Sequence, residues 1–162
     1  PRLLGALQAV QKGLENWDIP EGHHIGVSAH GSFHSYAAQA AEVSVENNQI
    51  RVHRVLCAID CGQVVNPDIV RGQMEGSIMY GLTAALYGDI EIENGAVKES
   101  NFHDYKMLRI SEAPEVEVLI VESEEAPSGV GEPGLPPVAP AVANAVYRAT
   151  GVRLSSMPLV LV

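Results

Sequence analysis

The sequence predicts an α+β fold in which antiparallel hairpins pack against about three helices. The stretch AEVSVENNQIRVHRVLCAID alternates apolar and polar residues on both sides of an Asn-Asn turn, which is a hairpin pattern. Residues 2–17, 67–87 and 135–149 instead repeat apolar side chains every three or four positions, the period of a helix face. Length and composition agree with a folded core. A chain of 162 residues at 46% hydrophobic content is large enough to bury ~70% of its unfolded surface.

Residues 2–17 place Leu3, Leu4, Leu7, Val10 and Leu14 on one side, and Asp18-Ile19-Pro20 ends that helix. Helical sequence begins directly after Pro1, with no initiator Met, which points to a piece of a longer chain. Residues 24–35 mix small and β-prone side chains and read as a strand. His30 and His34 stand four apart, but Gly31 and Ser32 between them disfavour a helix, so they read as polar strand-edge histidines and not as metal ligands. Residues 36–45 and 50–59 form two long antiparallel strands joined through Glu46-Asn47-Asn48, with one face buried. Cys57 and Cys61 share a strand face with Ile59 and read as buried thiols, with neither a disulfide nor a zinc site.

Asn66 is a suitable N-cap and Pro67 a suitable first residue for the helix 67–87. Its core row is Ile69 or Val70, Met74, Ile78, Leu82, and Ala85 or Leu86. Gly72, Gly76 and Gly81 each cost ~1 kcal/mol relative to alanine, which implies close packing against the backbone, a neighbouring helix being the favoured partner. Residues 88–100 form a second hairpin about Glu93-Asn94-Gly95. In residues 101–109 (NFHDYKMLR), His103 and Asp104 suit turn and cap hydrogen bonds, and no catalytic role is assigned to them. Residues 115–121 form a strand.

The last block, GVGEPGLPPVAPAVANAVYRATG, puts Glu132 on a Gly/Pro loop ahead of a small-residue helix. Pro136 and Pro137 suit a first helical turn, where a missing N–H costs little. Leu135, Val138, Val142, Ala145, Val146 and Ala149 make its apolar face, and Gly151 is placed to stop it. Taken by itself, a glutamate in such a loop is most often a solvated turn residue. A phosphate cradle fits poorly, because no lysine follows the glycines and a carboxylate repels phosphate.

Formal net charge is −10, which disfavours nucleic acid and anionic membranes as partners. Six carboxylates fall between Ser111 and Glu125. With Glu115 and Glu117 alternating with Val116 and Val118, they read as a solvated edge in preference to a docking face for a basic electron-transfer partner. No stretch approaches the ~20 apolar residues of a membrane span.

The block GVGEPGLPP with its helix, the segment DCGQVVNPDIVRGQMEG and the stretch NFHDYKMLR together resemble the molybdenum-binding large subunit of the xanthine oxidase family. The resemblance is closest to the isoquinoline 1-oxidoreductase beta-subunit branch, and it is clearest from Ala37 onward. It implies that residues 1–162 are the C-terminal part of a molybdopterin-binding domain. Glu132 then corresponds to the catalytic base beside the metal. Gln73 and Gly131 correspond to cofactor-binding positions, while no residue of this chain is implied as a metal ligand. Where the family commonly has a second glycine, this chain carries Ser77. The implied cofactor is molybdopterin, in its cytosine dinucleotide form, carrying molybdenum. The implied partners are the remaining N-terminal part of the large subunit, a small subunit with [2Fe–2S] clusters and a small-molecule substrate. The implied reaction hydroxylates an aromatic N-heterocycle or oxidises an aldehyde with oxygen from water, in the bacterial cytoplasm or periplasm. A non-catalytic assembly module and a small-ligand binding domain are the alternatives.

Overall fold

The computed structural model describes residues 1–162. Helix α1 (Arg2–Leu14) leads into an antiparallel meander of β1 (His23–Ser32), β2 (Ser35–Glu46) and β3 (Gln49–Asp60). Asn47 and Asn48 take left-handed conformations, φ 49° and 62°, as a two-residue hairpin turn between right-twisted strands requires. Helix α2 (Pro67–Leu86) follows, then a short ribbon of β4 (Ile92–Glu93) and β5 (Ala96–Val97), strand β6 (Glu115–Ile120) and helix α3 (Val138–Thr150). The Asn94-Gly95 turn joins β4 to β5, so the second hairpin exists but is only two residues long on each side.

The main sheet has the order β1-β2-β3-β6, and β6 lies parallel to β3. The expected strand is therefore present but is no hairpin partner. Helix α2 and the β4–β5 ribbon carry the chain across before it returns, which is what a parallel neighbour requires. On this edge strand Glu115 and Glu117 are exposed while Val116 and Val118 are half-buried, so the acidic run is a solvated sheet edge.

The expectation of one buried face is corrected. Ala38, Ala40, Leu56 and Ala58 meet Ala6 and Val10 of α1 on one side. Ala37, Ala41, Val43, Val55, Cys57 and Ile59 share a core with α2 and α3 on the other. The reason lies in SYAAQAAEV: four fully buried alanines alternate across both faces of β2 and let a helix approach from each side. The contact with α3 is closest at Gly26 of β1, where a Cβ would stand 2.1 Å from the Ala141 carbonyl oxygen.

Asn66 caps α2, its side-chain oxygen accepting from the amides of Asp68 and Ile69 at 3.1 and 3.3 Å. Val70, Met74, Ile78, Leu82 and Ala85 are buried, whereas Ile69 is 59% exposed. Helix packing accounts for Gly81, where a Cβ would lie 2.5 Å from Val138 Cγ1 of α3. It does not account for Gly72 or Gly76, which face open space. Helix α3 starts later than expected: Pro136 and Pro137 precede it, Pro137 at the N-cap position, and only Pro140 lies in its first turn. Gly151 ends it at φ 76°. No helix is long and apolar enough to cross a membrane.

Candidate functional site

The segment 128–137 runs across the ends of β2 and β3 and along α2, and several bonds to its backbone fix it there. The Ser128 amide donates to the Cys61 carbonyl at 2.9 Å, and the Gly129 amide to the Phe33 carbonyl at 3.2 Å. Ser35 Oγ donates to the Gly129 carbonyl at 2.6 Å. Ser77 Oγ donates to the Gly131 carbonyl at 3.0 Å. Gln39 Nε2 donates to the Gly134 carbonyl at 2.6 Å, and the Leu135 amide donates back to the Glu132 carbonyl at 2.9 Å. At Gly134 a Cβ would come within 3.1 Å of both Met74 Sδ and Ser77 Cβ, so the loop is pressed onto α2.

Within this fixed frame Glu132 is exposed, and its carboxylate makes no hydrogen bond within the chain. Gly131 is exposed as well, with no atom within 4 Å of where its Cβ would stand. Gln73 is exposed on α2 with its side-chain amide unpartnered. It lies between Val70 and Ser77 on one helix row. Val70 shares a pocket with Val130, and Ser77 holds Gly131. The Ser77 bond and the shared Val70–Val130 pocket set the Glu132 loop against α2, and Gln73, Gly131 and Glu132 are all exposed. Ser77 fits without displacing anything, because its small side chain is buried and its hydroxyl bonds the loop.

Further along α2 a groove of about 420 Å³ opens between Gly76, Met79 and Tyr80 and the segment carrying Met107, Leu108 and Ile110. The end of the stretch 101–109, Met107 to Arg109, therefore forms part of one wall of an apolar groove. Earlier in that stretch Asp104 is a turn-forming carboxylate, accepting from the Asn101 and Ser100 amides at 2.9 Å each. These bonds hold its carboxyl well below the usual range. His103 is exposed beside it.

The remaining chemistry-bearing residues stay apart. Cys57 is fully buried, its thiol pushed up to about 12 by burial, and Cys61 is raised in the same direction. Both are free. No three His, Cys, Asp or Glu side chains converge in a metal-binding group. Residue patterns alone miss Gln39, Ser35 and Ser128. A signal for Gln39 exists, since an amide amid buried alanines needs a buried partner.

Comparison with known proteins gives a consistent result. The molybdopterin cofactor-binding domain family matches residues 15–114, which takes in Gln39 and Gln73 and ends before Glu132. Isoquinoline 1-oxidoreductase subunit beta of Brevundimonas diminuta is 41% identical over 166 residues, covering 98% of this chain and 21% of that protein. The membrane-bound aldehyde dehydrogenase [pyrroloquinoline-quinone] of Gluconacetobacter polyoxogenes is 38% identical, covering 74% of this chain and 16% of that protein. Quinoline 2-oxidoreductase from Pseudomonas putida 86 shares the fold, with a TM-score of 0.71 at 24% identity over 76% of this chain and 17% of that one. The chain spans about one fifth of the length of the curated relatives it matches. The helices, the mixed sheet and these matches agree, and the chain belongs to the molybdopterin-binding subunits of the xanthine dehydrogenase/aldehyde oxidoreductase family.

Proposed function

We propose that this chain is the C-terminal part of the molybdopterin-binding domain of a molybdenum hydroxylase, with Glu132 as its catalytic base. The observation that carries the reading is an unpartnered, exposed carboxylate on a backbone bonded at Gly129, Gly131 and Gly134. A proton acceptor needs to be held in place and free of competing partners. Gln73 and Gly131 hold the cofactor. The free amide of Gln73 offers a donor and an acceptor to a pterin or phosphate, and the open space at Gly131 lets the cofactor approach the backbone. When bound, a molybdenum cofactor in the cytosine dinucleotide form supplies the oxidising capacity and lowers the pKa of water. Glu132 Oε takes the proton released as a water-derived oxygen attacks the substrate carbon.

The substrate is an aromatic N-heterocycle of isoquinoline type or an aldehyde. Both present an electron-poor carbon, and the apolar groove beside α2 suits a flat ring. The relatives' names support this class: one is an isoquinoline oxidoreductase and another an aldehyde dehydrogenase. The N-terminal part of the large subunit completes the cofactor site, and a small subunit with [2Fe–2S] clusters receives the electrons.

The test is Glu132→Gln in the whole enzyme, followed by single-turnover reduction of the metal centre by substrate. Glutamine keeps the shape but accepts no proton, so the rate falls ~10²–10⁴-fold while cofactor and fold are retained. Reduction at the parental rate with molybdenum fully loaded means that Glu132 is not the base. A bound quinone and no molybdenum would overturn the cofactor assignment.

A further inference from the structure

We infer that Gln39 is a positioning residue for Glu132, although the two stand on different elements far apart in the chain. The catalytic consequence rests on the reading of Glu132 as the base. The clamp itself rests on the geometry of β2 and the loop.

Gln39 is completely buried in the middle of β2. A carbonyl oxygen only accepts, so the amide must turn its nitrogen toward Gly134, and Nε2 reaches that oxygen at 2.6 Å. Its other neighbour there is Cys57 Sγ at 3.7 Å. The consequence is an orphan: Gln39 Oε1 is buried with no partner. An apolar side chain of the same length would remove this orphan, but it would also take the donor away from the buried Gly134 carbonyl. What the amide adds at this position is its hold on Gly134.

That hold has one evident target. Ser77 clamps the Gly131 carbonyl from α2, and Gln39 clamps the Gly134 carbonyl from the sheet. Only Glu132 and Pro133 stand between the two clamped residues. Pro133 is buried, and the Glu132 carbonyl is tied to the Leu135 amide. The exposed part of this short stretch is Gly131 and the Glu132 side chain. Two bonds to flanking carbonyls, from separate layers of the fold, restrict where that carboxylate can stand. A shift of ~1 Å in a catalytic group is enough to cost ~10²-fold in rate.

The experiment uses the whole enzyme and two variants. Gln39→Met keeps length and burial but donates nothing. Gln39→Glu keeps a donor as long as its buried carboxyl stays protonated, which burial favours. Amide hydrogen exchange at Leu135 reads the loop directly. With Gln39→Met it quickens about tenfold or more, while amides of β2 and β3 keep their protection. In turnover, kcat falls about tenfold or more with little change in KM or molybdenum content. Combined with Glu132→Gln, Gln39→Met causes no further loss, because the group it positions is gone. Compared with the parent at the same pH, Gln39→Glu shows equal protection at Leu135 at low pH and loses it as the pH rises and its carboxyl ionises.

Unchanged exchange at Leu135 in Gln39→Met overturns the proposal. So does a loss that multiplies with that of Glu132→Gln, since Gln39 then acts on something else. Should Gln39→Met fail to fold, the pH dependence of Leu135 protection in Gln39→Glu, taken relative to the parent at each pH, decides the matter, and a ratio that is flat across pH counts against the clamp. Should Glu132→Gln alone keep the parental rate, the base reading fails, and exchange at Leu135 still decides whether Gln39 fixes the loop.

Discussion

Glu42 is a carboxylate with 2% of its side chain exposed, on β2 beside the start of β1. Burial opposes its charge, but hydrogen bonds from His23 and Arg54 outweigh that and leave its pKa below the ordinary value. The His23 ring stacks on His53 at 4.1 Å between centroids, and Arg54 lies over the Trp17 ring at 4.2 Å. His53 is lowered too, first by burial and then by the charge of His23. The signs agree. A depressed carboxylate contributes stability above its unfolded pKa and loses it as pH falls through the folded one. A depressed histidine likewise contributes in full above ~6.5 and loses that contribution on acidification. Stability therefore declines from neutral pH in two stages, the histidine stage first and the Glu42 stage below ~4.3. Glu42→Gln loses ~1.5–3 kcal/mol at pH 7, because the bonds it gives up are charge-assisted. It also shallows the lower stage. Urea midpoints from pH 7 to pH 3 give the comparison, and parallel curves for parent and variant would show that another carboxylate governs the acid limb.

At the scale of the element, α2 contains its own control experiment. Alanine at Gly76 meets nothing within 4 Å, so Gly76→Ala in the 162-residue chain gains helix propensity and stabilises by ~0.5–1 kcal/mol. Alanine at Gly81 would meet Val138 Cγ1 at 2.5 Å and the Leu135 carbonyl oxygen at 3.2 Å. Both belong to the rigid entry to α3, so overpacking outweighs propensity and Gly81→Ala destabilises by ~1–3 kcal/mol. Thermal or urea unfolding of both variants tests the pair, and equal effects of one sign would refute the packing contrast. The same helix shows what the sequence makes legible. Its cap at Asn66, the opening Pro67 and the row Val70, Met74, Ile78 and Leu82 are local chemistry, as are the Asn-Asn turn and the Gly151 stop. The parallel pairing of β6 and the second buried face of β2 depend on partners far along the chain, which no local period encodes. The bond from Gln39 spans 95 positions and is invisible for the same reason. Glu132 and Gln73 stand out in sequence only through the family motifs, since an exposed acid and an exposed amide have no physical signature of their own.

For the whole molecule, the decisive feature is how open the proposed site is. Gln73, Gly131 and Glu132 all face solvent. Beyond them, Tyr80 and Ile110, which line the groove beside α2, are 70% and 97% exposed, and Val65 is 92% exposed. Binding sites for ligands of this size bury ~70–90% of the ligand between converging walls. On the proposed reading, α2 and the Glu132 loop make only one wall, and Gln73 contributes a single amide toward a cofactor rich in polar atoms. One such hydrogen bond contributes only ~0.5–1.5 kcal/mol net, far short of the energy needed to hold a large cofactor against water. The 162-residue chain, expressed alone, therefore carries molybdenum well below one atom per chain. The empty chain still folds, because its core is shared among the sheet and three helices and includes none of these three residues. Metal analysis and pterin fluorescence of the purified chain, with circular dichroism to establish its helices, make the measurement. Stoichiometric molybdenum on the isolated, folded chain would mean that the Gln73–Glu132 surface binds the cofactor unaided, and that the walls attributed to the rest of the subunit are not required.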